Sequence, residues 1–146
     1  MPTLQLKITP PQPAERLQVL ARRLTDLSTH ILGKRREVTA VVVEELWPGR
    51  WFVGGRNPGE AAALLEIRVT EGTNSVEEKQ AFVQAAYEEL WQQIGPLAEA
   101  SYVVVQEVPA TDWGYGGRTQ AERKAASAVI PAPSTIIPAP STVIPA

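Results

Sequence analysis

The chain has 146 residues, 44% of them hydrophobic and 21% charged, with a formal net charge of −2. That suits one domain of ordinary size and gives no electrostatic reason to expect nucleic acid or an anionic membrane as a partner. The absence of cysteine excludes disulfides and thiol catalysis, and a single histidine, His30, excludes a multi-histidine metal site.

Taken in chain order, the first segment is Pro2 followed by Thr3-Leu4-Gln5-Leu6-Lys7-Ile8, whose apolar residues alternate with polar ones as in a half-buried strand. Methionine is generally removed before a small residue, so the mature chain is expected to begin with Pro2, a free secondary amine on a rigid ring. An ordinary α-amino group titrates at about 7.7–8.0. Apolar surroundings disfavour the ammonium and bring it towards neutrality, where a general base works best. Pro10, Pro11 and Pro13 then make a loop and helix start, and Leu17, Leu20, Leu24, Leu27 and Ile31 follow at helical spacing up to a stop at Gly33. Thr39 to Glu45 is a β-branched run, expected to be a largely buried strand.

The pattern then recurs. Leu65, Ile67 and Val69 alternate. Asn74 or Ser75 can cap a helix with Phe82, Ala86, Leu90 and Ile94 on its buried face. Gly95-Pro96 ends that helix, and Ser101 to Val108 forms a last long strand. Leu32 to Leu46 aligns without gaps on Ile94 to Val108, and the offset of 62 residues also carries Trp51 onto Trp113 and Gly54-Gly55 onto Gly116-Gly117. The chain is a tandem duplication, with units at 2–61 and 63–118. Strand–helix–strand connections of this length imply parallel pairing with a right-handed crossover within each unit. Two units joined edge to edge give an α/β (α+β) fold, a four-stranded sheet with two helices on one face. The other face would stay bare, which points to burial by further subunits and hence to a homo-oligomer.

After Arg118 the composition changes. Thr119 to Ala128 is small, polar and charged, and from Val129 the chain reads VIPAPST, IIPAPST, VIPA. Recurrent proline forbids a coiled coil, so residues 119–146 are expected to be an extended, disordered Pro-rich tail. No apolar run approaches the roughly 20 residues of a membrane span, and the N-terminus lacks a basic-then-apolar signal. A cytoplasmic protein is expected.

The opening Pro2-Thr3-Leu4-Gln5-Leu6, the two strand–helix–strand units and the ending Glu107 to Arg118 (with Trp113-Gly114-Tyr115-Gly116-Gly117) resemble the tautomerase superfamily, and more closely a fused 4-oxalocrotonate tautomerase. The resemblance covers roughly Pro2 to Arg118. It implies a trimer of fused chains and a cofactor-independent isomerase in which Pro2 is the general base on a small enol or unsaturated keto acid. A protonated Pro2 assisting hydration or dehalogenation of an unsaturated acid is the related alternative. A non-catalytic trimeric scaffold, with the Pro-rich tail as its interaction element, belongs to another class.

By the same resemblance Trp51 and Trp113 fall at the active-site aromatic position. The position matching Pro2 in the second unit is Ala63, internal and without a free amine, so one base per chain is implied. The chain departs from the family where two arginines hold a dicarboxylate: Gln12 and Ala40 stand there in the first unit, Thr73 and Tyr102 in the second. The dehalogenases' arginine pair is replaced by Thr70-Glu71-Gly72-Thr73. Arg36, Arg50, Arg68 and Arg118 are the candidate substitutes, each able to hold a carboxylate bidentately. Tyr102 is a candidate hydrogen-bond donor to a substrate oxygen. Lys34-Arg35-Arg36 and His30 suit the dipole at the end of the first helix, though the cluster could also attract an anionic substrate. Glu45 and Glu107, repeated in both units, read equally as partners for backbone amides or as proton carriers. The paired glycines lack the strand-then-helix context of a phosphate loop and suit hairpin turns.

Overall fold

Alternation at the head of the chain builds strand β1, Thr3–Thr9, which buries Leu4, Leu6 and Ile8 and exposes Gln5 and Lys7. The computed structural model describes residues 2–129. Helix α1, Ala14–Leu32, starts after Pro13, whose fixed φ suits a helix entry, and buries Leu20, Leu24, Ser28 and Leu32. It ends at Gly33, in the left-handed conformation with φ 68°. There the N–H groups of Gly33 and Lys34 return to the carbonyls of Thr29 and Ser28, at 3.1 Å each. Strand β2, Ala40–Glu45, then pairs parallel to β1, from Thr3 opposite Ala40 to Ile8 opposite Glu45.

The second unit repeats the plan with strand β3, Ala62–Thr70, helix α2, Val76–Ile94, and strand β4, Tyr102–Val108. Ser75 is the cap of α2: its hydroxyl accepts from the Glu78 N–H while Glu78 reaches back to the Ser75 N–H. Asn74 instead donates its side-chain amide to the Leu32 carbonyl at 2.9 Å, tying the start of one helix to the end of the other.

The sheet order is β2-β1-β3-β4, and β1 runs antiparallel to β3 with Leu4 opposite Ile67, Leu6 opposite Leu65 and Ile8 opposite Ala63. The two units are therefore joined through their first strands, and α1 and α2 pack together over one face. Leu4, Leu6, Ile8, Leu65, Ile67 and Val69 meet Leu20, Leu24, Phe82, Ala86 and Leu90 in a single core. Each fully buried side chain of this size contributes about 1.5–3 kcal/mol relative to exposure. Between the helices the buried Glu89 is held by Arg23 Nε at 3.2 Å and by Gln93 Nε2 at 2.9 Å.

The opposite face is open. Val42 is 61% exposed, Tyr102 62% and Val104 37%. The β-branched run of β2 is therefore half-buried rather than largely buried. A continuous apolar string cannot reveal that only one sheet face is covered.

One compact unit runs through Glu107, and a second begins at Val108. In the second, strands β5, Gly114–Tyr115, and β6, Arg118–Thr119, form a small hairpin, and helix α3 spans Gln120–Val129. The helix corrects the expectation of a tail from residue 119. Thr119 and Glu122 make a reciprocal capping box, with Glu122 N–H to Thr119 Oγ1 at 3.0 Å and Thr119 N–H to Glu122 Oε1 at 2.8 Å. Arg123 adds a bond to the Tyr115 carbonyl at 2.8 Å and sits 3.8 Å from the centre of the Tyr115 ring. The VIPAPST repeats fall beyond residue 129, outside the described residues.

Candidate active site

Period-2 alternation places Pro2 on the helix-covered side of the sheet with Leu4 and Leu6, and its side chain is fully buried. Its carbonyl accepts the Ala40 N–H at 3.4 Å, fixing the head of β1 against the start of β2. On its other side Thr3 faces Arg68, near the end of β3.

The loop beyond β3 belongs to the same end of the sheet. Lys34 is only 8% exposed, and its Nζ donates to Thr73 Oγ1 at 3.0 Å. Burial pulls the Lys34 ammonium below its ordinary range, and the carboxylates of Glu78 and Glu107 pull the other way. In the sequence Lys34 belongs to a cationic cluster at the end of the first helix that suits its dipole or could attract an anionic substrate. The signal for its burial was Gly33: a left-handed residue after a helix folds the next one back over the last turn. Glu107 accepts the Gly72 N–H at 3.1 Å and pairs with Lys79 Nζ at 3.1 Å, and these bonds hold its carboxyl below the usual range. In the first unit Glu45 likewise accepts the Gln12 N–H. The repeated glutamates thus fasten the loop that follows each unit's first strand.

The other candidates divide between different places. Arg50, Trp51 and Tyr102 line one cavity of about 470 Å³ together with Lys7, Phe52 and Ala63. It lies at the far end of β1, five residues from Pro2, or roughly 17 Å at the rise of a strand. Arg50 and Trp51 close a short helical turn, Pro48–Arg50, which Asn57 clamps by donating to the carbonyls of Pro48 at 2.8 Å and Trp51 at 2.7 Å. Val53 and Arg56 then bridge across Gly54 and Gly55, whose φ values of 61° and 78° suit a two-residue hairpin turn. Gly116 and Gly117 repeat it at 62° and 79°.

Arg36 is bound to Asp26, whose carboxyl that bond holds below its usual range. Arg68 lies on the open face, and His30 is exposed in the last turn of α1. Trp113 and Arg118 share a cavity of about 230 Å³ within the second compact unit. Among the described residues no cluster of histidine, aspartate and glutamate is able to hold a metal ion, and no helix is long and apolar enough to cross a membrane.

The sequence model of the tautomerase enzyme family matches residues 2–61 and again residues 64–123. No curated protein matches the chain significantly. Among solved structures, a fused 4-OT wild-type symmetric trimer aligns with TM-score 0.74 at 22% identity, over 82% of this chain and 96% of its own. Pt0534, solved as inactivated by 2-oxo-3-pentynoate, gives 0.74 at 19% identity, over 82% and 98%. A macrophage migration inhibitory factor-like protein from Entamoeba histolytica gives 0.69 at 18% identity, over 81% and 97%. At these identities the likeness is one of fold.

Proposed function

The chain belongs to the tautomerase family, and on that premise we propose that it is a cofactor-independent keto–enol tautomerase whose general base is the amine of Pro2, freed by removal of Met1. The observation that carries this reading is the fully buried proline at the head of β1, between the start of β2 and the end of β3. In ketonisation of a small enol, the Pro2 nitrogen takes the enol hydroxyl proton as the carbonyl forms. The carbon at the other end of the double bond then receives a proton from the resulting ammonium, and the neutral amine is restored. Developing charge on the enolate oxygen needs an electrostatic partner, the usual large contribution in such reactions. Lys34, held on Thr73 at the Pro2 end, is our candidate, in place of the family arginines that Gln12, Ala40, Thr73 and Tyr102 replace. Arg68 beside Thr3 is a second candidate cation. Trp113 and Arg118 enter as substrate contacts on the family resemblance alone.

We propose further that the protein works as a homotrimer, as its fused 4-OT structural neighbours do. The exposed Val42 and Val104 give the open sheet face its reason to be covered.

The test is an assay of phenylenolpyruvate and 2-hydroxymuconate ketonisation, with loss of Met1 confirmed by mass spectrometry. Turnover that disappears in Pro2→Ala supports the base. Labelling by 2-oxo-3-pentynoate, the inactivator of Pt0534, is expected on the N-terminal peptide. An intact trimer without Met1 that turns over neither compound would transfer the reading to hydration of an unsaturated acid or to a scaffold.

A further inference from the structure

The cavity of about 470 Å³ at the far end of β1 is a finished pocket without a base. Its volume falls within the range of small-molecule sites, about 300–1,000 Å³. Trp51, Phe52 and Tyr102 supply flat apolar walls, and Arg50 and Lys7 supply positive charge, while none of the residues lining it is acidic. No ion pair engages Arg50 or Lys7 among the described residues. Glu44 faces Lys7 across the β1–β2 pair and offsets part of its charge, so Arg50 is the principal cation. Asn57 fixes the backbone on either side of Arg50, so the cation and the indole beside it are presented by a closed loop.

The duplication explains why such a pocket exists. Ala63 stands at the second unit's counterpart of Pro2, and Trp51 comes from the aromatic segment of the first unit. Ala63 lies within the chain, and its nitrogen is an amide that donates to Ser101 Oγ at 3.1 Å. Aromatic walls and cations remain, but proton abstraction has no agent.

We propose that this cavity is a non-catalytic binding site for a small aromatic carboxylate, held by Arg50 and packed against Trp51 and Tyr102. The proposal does not depend on Pro2 acting as a base. It is tested on the full chain in its native assembly, ¹⁵N-labelled, by following the four tryptophan indole N–H resonances during titration with cinnamate. The Trp51 resonance is expected to move in a saturable way, and to do so equally in Pro2→Ala. Arg50→Gln, a change at an exposed residue, is expected to weaken the response about tenfold or more, the scale of losing a charge-assisted hydrogen bond. Lys7→Gln acts in the same direction with a smaller effect, and cinnamyl alcohol, which has no charge, binds more weakly. A Trp51 resonance that stays still, equal binding of cinnamyl alcohol, or a response lost in Pro2→Ala and retained in Arg50→Gln would overturn the proposal.

Discussion

The two ends of the central strand pair belong to two tandem copies of one family unit and differ in what stands at the head of each first strand. At one end the buried Pro2 leads into β1, bonded through its carbonyl to Ala40, and Lys34, just after α1, donates to Thr73 in the loop beyond β3. At the other, β3 opens with Ala62 and Ala63, both buried, beside a cavity of aromatic and cationic side chains. Joining two units into one polypeptide leaves a single terminus. An amine at the head of a strand requires that terminus, so of the two first strands only β1 can present one. The walls of a pocket carry no such requirement and survive the fusion.

The sharpest way to break this comparison is to replace the secondary amine by the primary amine of alanine, or to block it as an amide, without removing the fold. Pro2→Ala is expected to lower turnover about 10²- to 10⁴-fold, the usual contribution of a general base. A chain that retains Met1, in which the Pro2 nitrogen is an amide, is expected to fall as far. Kinetics on protein of verified N-terminal mass distinguish the two preparations. Next in size is the core that both units share. Leu6 and Leu65 face each other across the β1–β3 pair, each essentially without exposure. Truncation of either to alanine should cost about 2–5 kcal/mol, with similar values at both positions. Urea denaturation of the two variants measures this, and a large inequality would show that the units are not equivalent halves of one core.

The hairpins offer a smaller contrast. Gly55→Ala meets no neighbouring atom, yet it forces a left-handed backbone at φ 78°, a cost of about 1–2 kcal/mol. Gly116→Ala pays the same conformational cost, and its methyl would also come within 2.8 Å of the Arg123 guanidinium, so the larger loss is expected there. Thermal melts compare them. The smallest effect concerns acid. Glu107 titrates below its ordinary value in the folded protein, chiefly through the Gly72 N–H and then Lys79. A carboxyl with a depressed folded pKa stabilises the protein above its unfolded value, about 4.5, and that contribution fades as pH falls below it. Glu107→Gln is therefore expected to lower Tm slightly at pH 7–8, where the contribution is whole, to converge on the parent protein in acid, where it has faded, and so to flatten the acid limb of a Tm-against-pH curve.

Much of the scaffold was legible because it rests on period. Leu4, Leu6 and Ile8, then Leu65, Ile67 and Val69, alternate as strands must, and the 62-residue offset exposed the duplication. The capping box at Ser75 and the paired glycines of the hairpins follow from local chemistry and sit where that chemistry implies. The bare sheet face was legible from the duplication, which supplies helices to one side only, but not in Val41-Val42-Val43 or Val103-Val104-Val105, because burial of a face is decided by what packs on it. Helix α3 was missed although Thr119 and Glu122 stand at capping-box spacing; the proline repeats that follow drew the reading towards a tail. The site was less legible than the fold. Lys34 is buried by a turn that one glycine makes possible, and Arg50, Trp51 and Tyr102 come together only because β1 and β3 run antiparallel.

The central claim is that Pro2 presents a neutral amine at physiological pH, and ¹⁵N NMR titration of the Pro2 nitrogen in the Met1-free protein tests it most directly. We expect it to titrate below the ordinary α-amino range of about 7.7–8.0 and to coincide with the rising limb of the rate profile. A Pro2 nitrogen that titrates above that range, or whose protonation leaves the rate unchanged, would contradict the account.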